Sequence, residues 1–110
     1  VMPDTMFPER ISVGDNTVIG FNTTILAHEY LIDEYRLGDV EIGSNVMIGA
    51  NSTILPGVRI GDGAIVSAMT LVHRDVPAGS MVGGNPMQII YTAEQMIERK
   101  NKDNPIWAND

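Results

Sequence analysis

An aliphatic residue recurs at every sixth position in the middle of this chain: Ile42, Ile48, Ile54, Ile60, Val66 and Val72. An earlier block keeps the same spacing at Val13, Ile19 and Ile25. Neither a helix nor a long alternating strand has this period. A fixed repeat means identical small units that bury their apolar faces by stacking on one another.

Other columns follow the same rhythm. One residue after the aliphatic stand Gly14, Gly20, Gly43, Gly49 and Gly61, with Ser67 as a small substitute. Two residues before it stand Ile11, Thr17, Thr23, Val40, Val46, Ser52, Val58, Ala64 and Thr70. Alternate residues of a strand share a face, so these groups point inward beside the aliphatics. Three residues after the aliphatic come Asn16, Asn22, Asn45, Asn51, Gly57 and Gly63. Asn and Gly tolerate positive φ, which places a turn after each short strand. Each hexad is then one wall, and three walls close a triangular coil. The pattern predicts a parallel β-helix rather than a β-sandwich, which would not hold period six without slippage. Met69 falls in the Asn/Gly column and predicts local strain or a different turn.

The composition agrees. Ten Val and thirteen Ile outnumber five Leu, a balance that suits strands. The 110 residues allow one domain at most. Fourteen acidic against seven basic residues leave a net charge of −7, which argues against nucleic acid or an anionic membrane surface as partner. There is no cysteine, so disulfides, Cys-ligated zinc and a thiol nucleophile are excluded. No run of eighteen apolar residues could span a bilayer as a helix, and no signal peptide is recognised, so a cytoplasmic protein is expected. The first residue is Val1, which suggests a cut or processed N-terminus.

The rhythm breaks between Ile25 and Ile42, where residues 28–39 read as a loop leaving the coil near His28 and rejoining near Val40. It carries Tyr30, Leu31, Ile32, Tyr35 and Leu37 beside a cluster of charges. An excursion from a regular solenoid is a candidate functional element or oligomer contact. The repeat decays after Val72, so the β-helix domain is expected over residues 1–91, with a helix and tail over 92–110. Thr92 and Gln95 fit a capping box, and the helix is expected to run to Lys102 and stop before Asn104-Pro105. It should cover the open edge of the last coil. Ile106 and Trp107 could anchor the tail on a neighbouring chain.

The segments Ile42–Ala50 and Ile54–Ala64, Val72-His73-Arg74-Asp75-Val76-Pro77 and Val82-Gly83-Gly84-Asn85-Pro86 resemble the hexapeptide-repeat acyltransferases, nearest the galactoside, maltose and xenobiotic O-acetyltransferases. The resemblance spans about residues 11–91. It implies an all-β, left-handed parallel β-helix with a short C-terminal helix, assembled as a homotrimer with sites between prisms. It places His28 at the catalytic histidine position. Acetyl-CoA, as co-substrate, would lie along a prism wall touching Ala50, Ala68, His73 and Arg74, and no metal is required. The partner would be a small molecule presenting a hydroxyl.

The chemistry is coherent on its own terms. An alcohol is a poor nucleophile at neutral pH, and an imidazole can take its proton as it attacks a thioester. Without cysteine, transfer is expected to be direct. Arg74 could meet a CoA phosphate, or pair instead with Asp75 or Asp62. Departures from the family pattern are Met47 where an aromatic is common, Met69 where Gly is common, and Gln88 and Tyr91 where basic residues follow the Gly-Asn-Pro element. The family's acceptor-binding region usually includes elements ahead of the segment resembling Val1–Arg10, so part of that pocket is expected to lie outside this chain. A rival reading is a catalytically inactive scaffold. Carbonic anhydrase chemistry would need three His per zinc where this chain has only His28 and His73, and an ice-binding face would need outward Thr where these point inward.

Overall fold

The computed structural model describes residues 2–3, 10–30 and 35–103, with backbone alone for 2–3, 28–30, 35–37, 102 and 103. The chain winds as a left-handed parallel β-helix whose coils visit three walls in turn. The first wall holds β2 (Ile11–Val13), β7 (Val40–Ile42) and β10 (Arg59–Ile60). The second holds β3 (Val18–Ile19), β8 (Met47–Ile48), β11 (Ile65–Val66) and β13 (Met81–Gly83). The third holds β1 (Met2–Pro3), β4 (Thr24–Ile25), β9 (Thr53–Ile54) and β12 (Leu71–Val72). The excursion contributes β5 (His28–Tyr30) and β6 (Tyr35–Leu37), and the end of the repeat contributes β14 (Gln88–Tyr91).

Register shows the coil length directly. Glu41 pairs with Arg59, Met47 with Ile65 and Thr53 with Leu71, each 18 residues apart. Across the excursion the offset grows to 29, as between Thr24 and Thr53, so eleven residues leave the coil. In the last turn it falls to 16, as between Ile60 and Val76, because the corner at 73–75 is shortened.

The six central aliphatics are all buried, as are Ile25, Val40, Val46, Val58 and Val82. Each such side chain contributes roughly 1.5–3 kcal/mol of burial, and stacked rungs supply the partners that a single coil lacks. Val13 departs from the inward expectation: it is 45% exposed, and Ile19 is only partly buried. Both stand on β2 and β3, the outermost strands of their walls among the described residues, so no further rung covers them.

The expected turn column is present. Asn16, Asn22, Asn45, Asn51, Gly57 and Gly63 all have positive φ, between 56° and 82°. Met69 adopts the same conformation at φ 61°, so the turn is kept and the strain falls on this residue.

The excursion is a β-hairpin. β5 and β6 pair antiparallel, with His28 opposite Leu37 and Glu29 opposite Arg36. Its base is closed by the Gly38 N–H donating to the Ala27 carbonyl at 3.0 Å.

At the other end the capping box forms in both directions. The Thr92 N–H donates to Gln95 Oε1 at 2.9 Å, and the Gln95 N–H to Thr92 Oγ1 at 3.3 Å. Helix α1 spans Ala93–Asp103. The edge of β13 is taken by β14, which turns back antiparallel against it, and α1 follows with Ala93 set against Gly79 of the last coil. The tail with Asn104, Pro105, Ile106 and Trp107 lies outside the described residues. No helix among the described residues is long and apolar enough to cross a membrane.

Candidate active site on the third wall

The third wall is bounded by two corners, and the predicted site residues divide between them. Ala50 and Ala68 occupy successive rungs of the corner leading into it from the second wall. A Cβ on Gly20 would lie 2.5 Å from the Ala50 nitrogen, and one on Gly49 would lie 2.4 Å from that of Ala68. Glycine is therefore required at both positions, because the next pass of backbone occupies the space.

Beneath this corner runs a ladder of buried hydroxyls. Thr23, Ser52 and Thr70 are each 0–1% exposed. Thr23 Oγ1 donates to the Gly49 carbonyl at 3.2 Å, and Ser52 Oγ contacts the Gly49 and Ser67 carbonyls at 3.0 and 3.2 Å. Thr70 Oγ1 donates to the Ser67 carbonyl at 2.6 Å. The hydroxyls satisfy carbonyls that the tight turn removes from the sheet, which holds the corner rigid. The period-six column identified these residues as small and inward; their role as hydrogen-bond donors to the corner emerges only from the stacking. Among the described residues, the N–H groups of Ala50 and Ala68 have no hydrogen-bond partner.

His73 and Arg74 lie at the opposite corner, where the chain leaves the third wall after β12, and both are exposed. Arg74 makes no ion pair among the described residues. The two carboxylates considered for it are engaged elsewhere: Asp75 Oδ1 accepts from the Arg59 N–H at 2.9 Å, and Asp62 Oδ1 from the Ser44 N–H at 2.8 Å. The hairpin leaves the prism at this same corner. Pairing of Thr24–Ile25 with Thr53–Ile54, and of these with Leu71–Val72, sets the Leu26, Leu55 and His73 positions in one column. The backbone of His28 therefore departs two rungs from Arg74, about 10 Å at 4.8 Å per rung. An ion pair between Arg10 and Asp39 at 2.9 Å lies where the chain rejoins the coil.

Ala50, Ala68, His73, Arg74 and the root of His28 thus flank a single wall, whose outward residues are Thr24, Thr53 and Leu71, all partly buried. Ala50 and Ala68 stand on one edge of it, and His73, Arg74 and the root of His28 on the other. Among the described residues no three His, Asp or Glu side chains cluster as a metal site requires.

Residues 39–74 match the family model described as bacterial transferase hexapeptide (six repeats). The chain belongs to the hexapeptide-repeat acetyltransferase family. YvoF of Bacillus subtilis (strain 168), provisionally named an acetyltransferase, is 76% identical over 102 residues, covering 93% of this chain and 59% of its own length. A galactoside acetyltransferase solved in complex with coenzyme A superposes with a TM-score of 0.72 at 29% identity, over 76% of this chain and 45% of that one. The hexapeptide-repeat-containing acetyltransferase of Vibrio cholerae O1 biovar eltor, complexed with acetyl-coenzyme A, gives a TM-score of 0.71 at 32% identity, over 76% and 49% of the two chains. This family member therefore spans well under two thirds of the length of these relatives.

Proposed function

We propose that this chain forms the catalytic β-helix of an acetyl-CoA-dependent O-acetyltransferase acting on a small hydroxyl-bearing acceptor. The observation that carries the proposal is the corner at Ala50 and Ala68. It offers two backbone N–H groups one rung apart that have no partner among the described residues, on a wall whose other edge holds the Arg74 guanidinium, unpaired among the same residues, and the root of the His28 hairpin. Such N–H groups suit the amide oxygens along the arm of coenzyme A, and Arg74 suits one of its phosphates. Relatives solved with coenzyme A or acetyl-CoA support the same donor.

His28 is the general base. Its imidazole takes the acceptor's hydroxyl proton as that oxygen attacks the thioester carbonyl carbon. The tetrahedral intermediate collapses by breaking the carbon–sulfur bond, and the coenzyme A thiolate leaves and recovers the proton. The products are the acetyl ester and free coenzyme A. The working unit is a homotrimer, in which a neighbouring prism closes the cleft over the third wall. An apolar file on the second wall supports this assembly. The residues Val18, Met47, Ile65 and Met81 stand in register outside it, and Tyr91 continues the file on β14.

The test is thiol release from acetyl-CoA with a panel of sugar and xenobiotic alcohols. His28→Ala should lower turnover by about 10²–10⁴-fold with coenzyme A binding retained. Unchanged turnover would remove His28 from this role, and absence of acetyl transfer to every acceptor would favour an inactive scaffold.

A further inference from the structure

Met69 is the one residue among the described turns that is neither Asn nor Gly and yet holds positive φ, at 61°. Directly below it on the same corner, Asn51 and Asn22 fill the equivalent position, and the Asn22 side-chain amide donates to Asn51 Oδ1 at 3.0 Å. Met69 has no side-chain amide with which to extend that ladder. Met69 is 72% exposed, so packing among the described residues does not offset the strain of the left-handed backbone. The cost lies one residue beyond Ala68, beside the N–H groups assigned to the donor. A flexible thioether is well suited to an irregular apolar surface.

We infer that Met69 is a binding residue for the thioester donor, its side chain lying against the apolar methyl and methylene groups of the pantetheine arm. This rests on the reading that acetyl-CoA occupies the Ala50–Ala68 corner. The strained backbone presents a long apolar side chain at a point where Asn or Gly would leave the arm exposed to water. Met69 thus sets donor affinity rather than acceptor choice.

The experiment is calorimetric titration of coenzyme A into the wild-type chain and into Met69→Gly, Met69→Asn and Met69→Leu. Gly and Asn keep the turn and remove the apolar arm, so each should weaken binding at least fivefold. Leu restores an apolar side chain and should bind within twofold of wild type. Equal binding by all four proteins overturns this inference alone. Full binding by Gly and Asn with weakening by Leu alone assigns the effect to the turn rather than the apolar arm and overturns it as well. No binding by the wild type overturns the donor site itself, and this inference with it.

Discussion

Asn22 and Asn51 form a side-chain rung along the corner that carries Ala50, the amide of one donating to the oxygen of the other at 3.0 Å while both hold left-handed backbone, φ 63° and 60°. Asn51→Ala removes the hydrogen bond and places an unsuited residue at positive φ. A loss of about 1–2 kcal/mol is expected. Asn51→Gly keeps the backbone freedom and loses only the bond, so it should cost less. Urea denaturation of the two variants checks the order, and an equal loss would show that the turn conformation is not the larger effect.

Gly49 is tested by one methyl group. Its Cβ would sit 2.4 Å from the Ala68 nitrogen and 2.7 Å from the Ala68 Cα, with backbone rather than a movable side chain in the way. Gly49→Ala should destabilise the fold by about 3 kcal/mol, since the rungs must separate. Gly57, where nothing lies within 4 Å of a built Cβ, is a control for crowding alone, because its φ of 82° still penalises a side chain. Thermal unfolding of the two Ala variants separates strain from collision.

Met69→Asn should raise stability by about 1 kcal/mol, the opposite sign from most substitutions, because Asn is tolerated in left-handed backbone. Paired with the coenzyme A titration, this predicts a variant that is more stable and binds the donor more weakly. Chemical denaturation measures the first half. A stability below wild type would show that the 61° conformation carries no cost here.

Met47 sits in the middle of the second wall's apolar file and is 53% exposed. A charge placed there faces whatever covers that wall. Met47→Glu should shift a trimer toward monomer, measured as molar mass by light scattering after size exclusion, without lowering the monomer's content of β-structure. A mass unchanged from wild type would place the subunit contact on another wall.

The inward aliphatics, the Asn/Gly turns and the Thr92–Gln95 cap were legible in the residues, because each is a local requirement repeated at fixed spacing. A left-handed turn selects Asn or Gly wherever it occurs, and an inward strand position selects a β-branched side chain. Met69 was legible for the same reason, as the member that breaks its column. The exposed Val13 was not, since burial at the end of a stack depends on what lies beyond it. Nothing local to the residues after Pro86 specifies β14, because its antiparallel return against β13 depends on an edge that exists only once the coils have stacked. The guanidinium of Arg99 lies 4.3 Å from the ring centroid of Tyr91, joining helix to strand in a contact that no spacing in the sequence specified.

Period, inward side chain and turn are each set within six residues, so the coil follows from local requirements alone. Which residues share a wall is settled only when the coils stack. Ala50 and Ala68 become neighbours, and Arg74 comes two rungs from the root of His28, only because 18-residue coils and an eleven-residue excursion bring distant positions into register. Hydrogen bonds between rungs, not contacts along the chain, set that register.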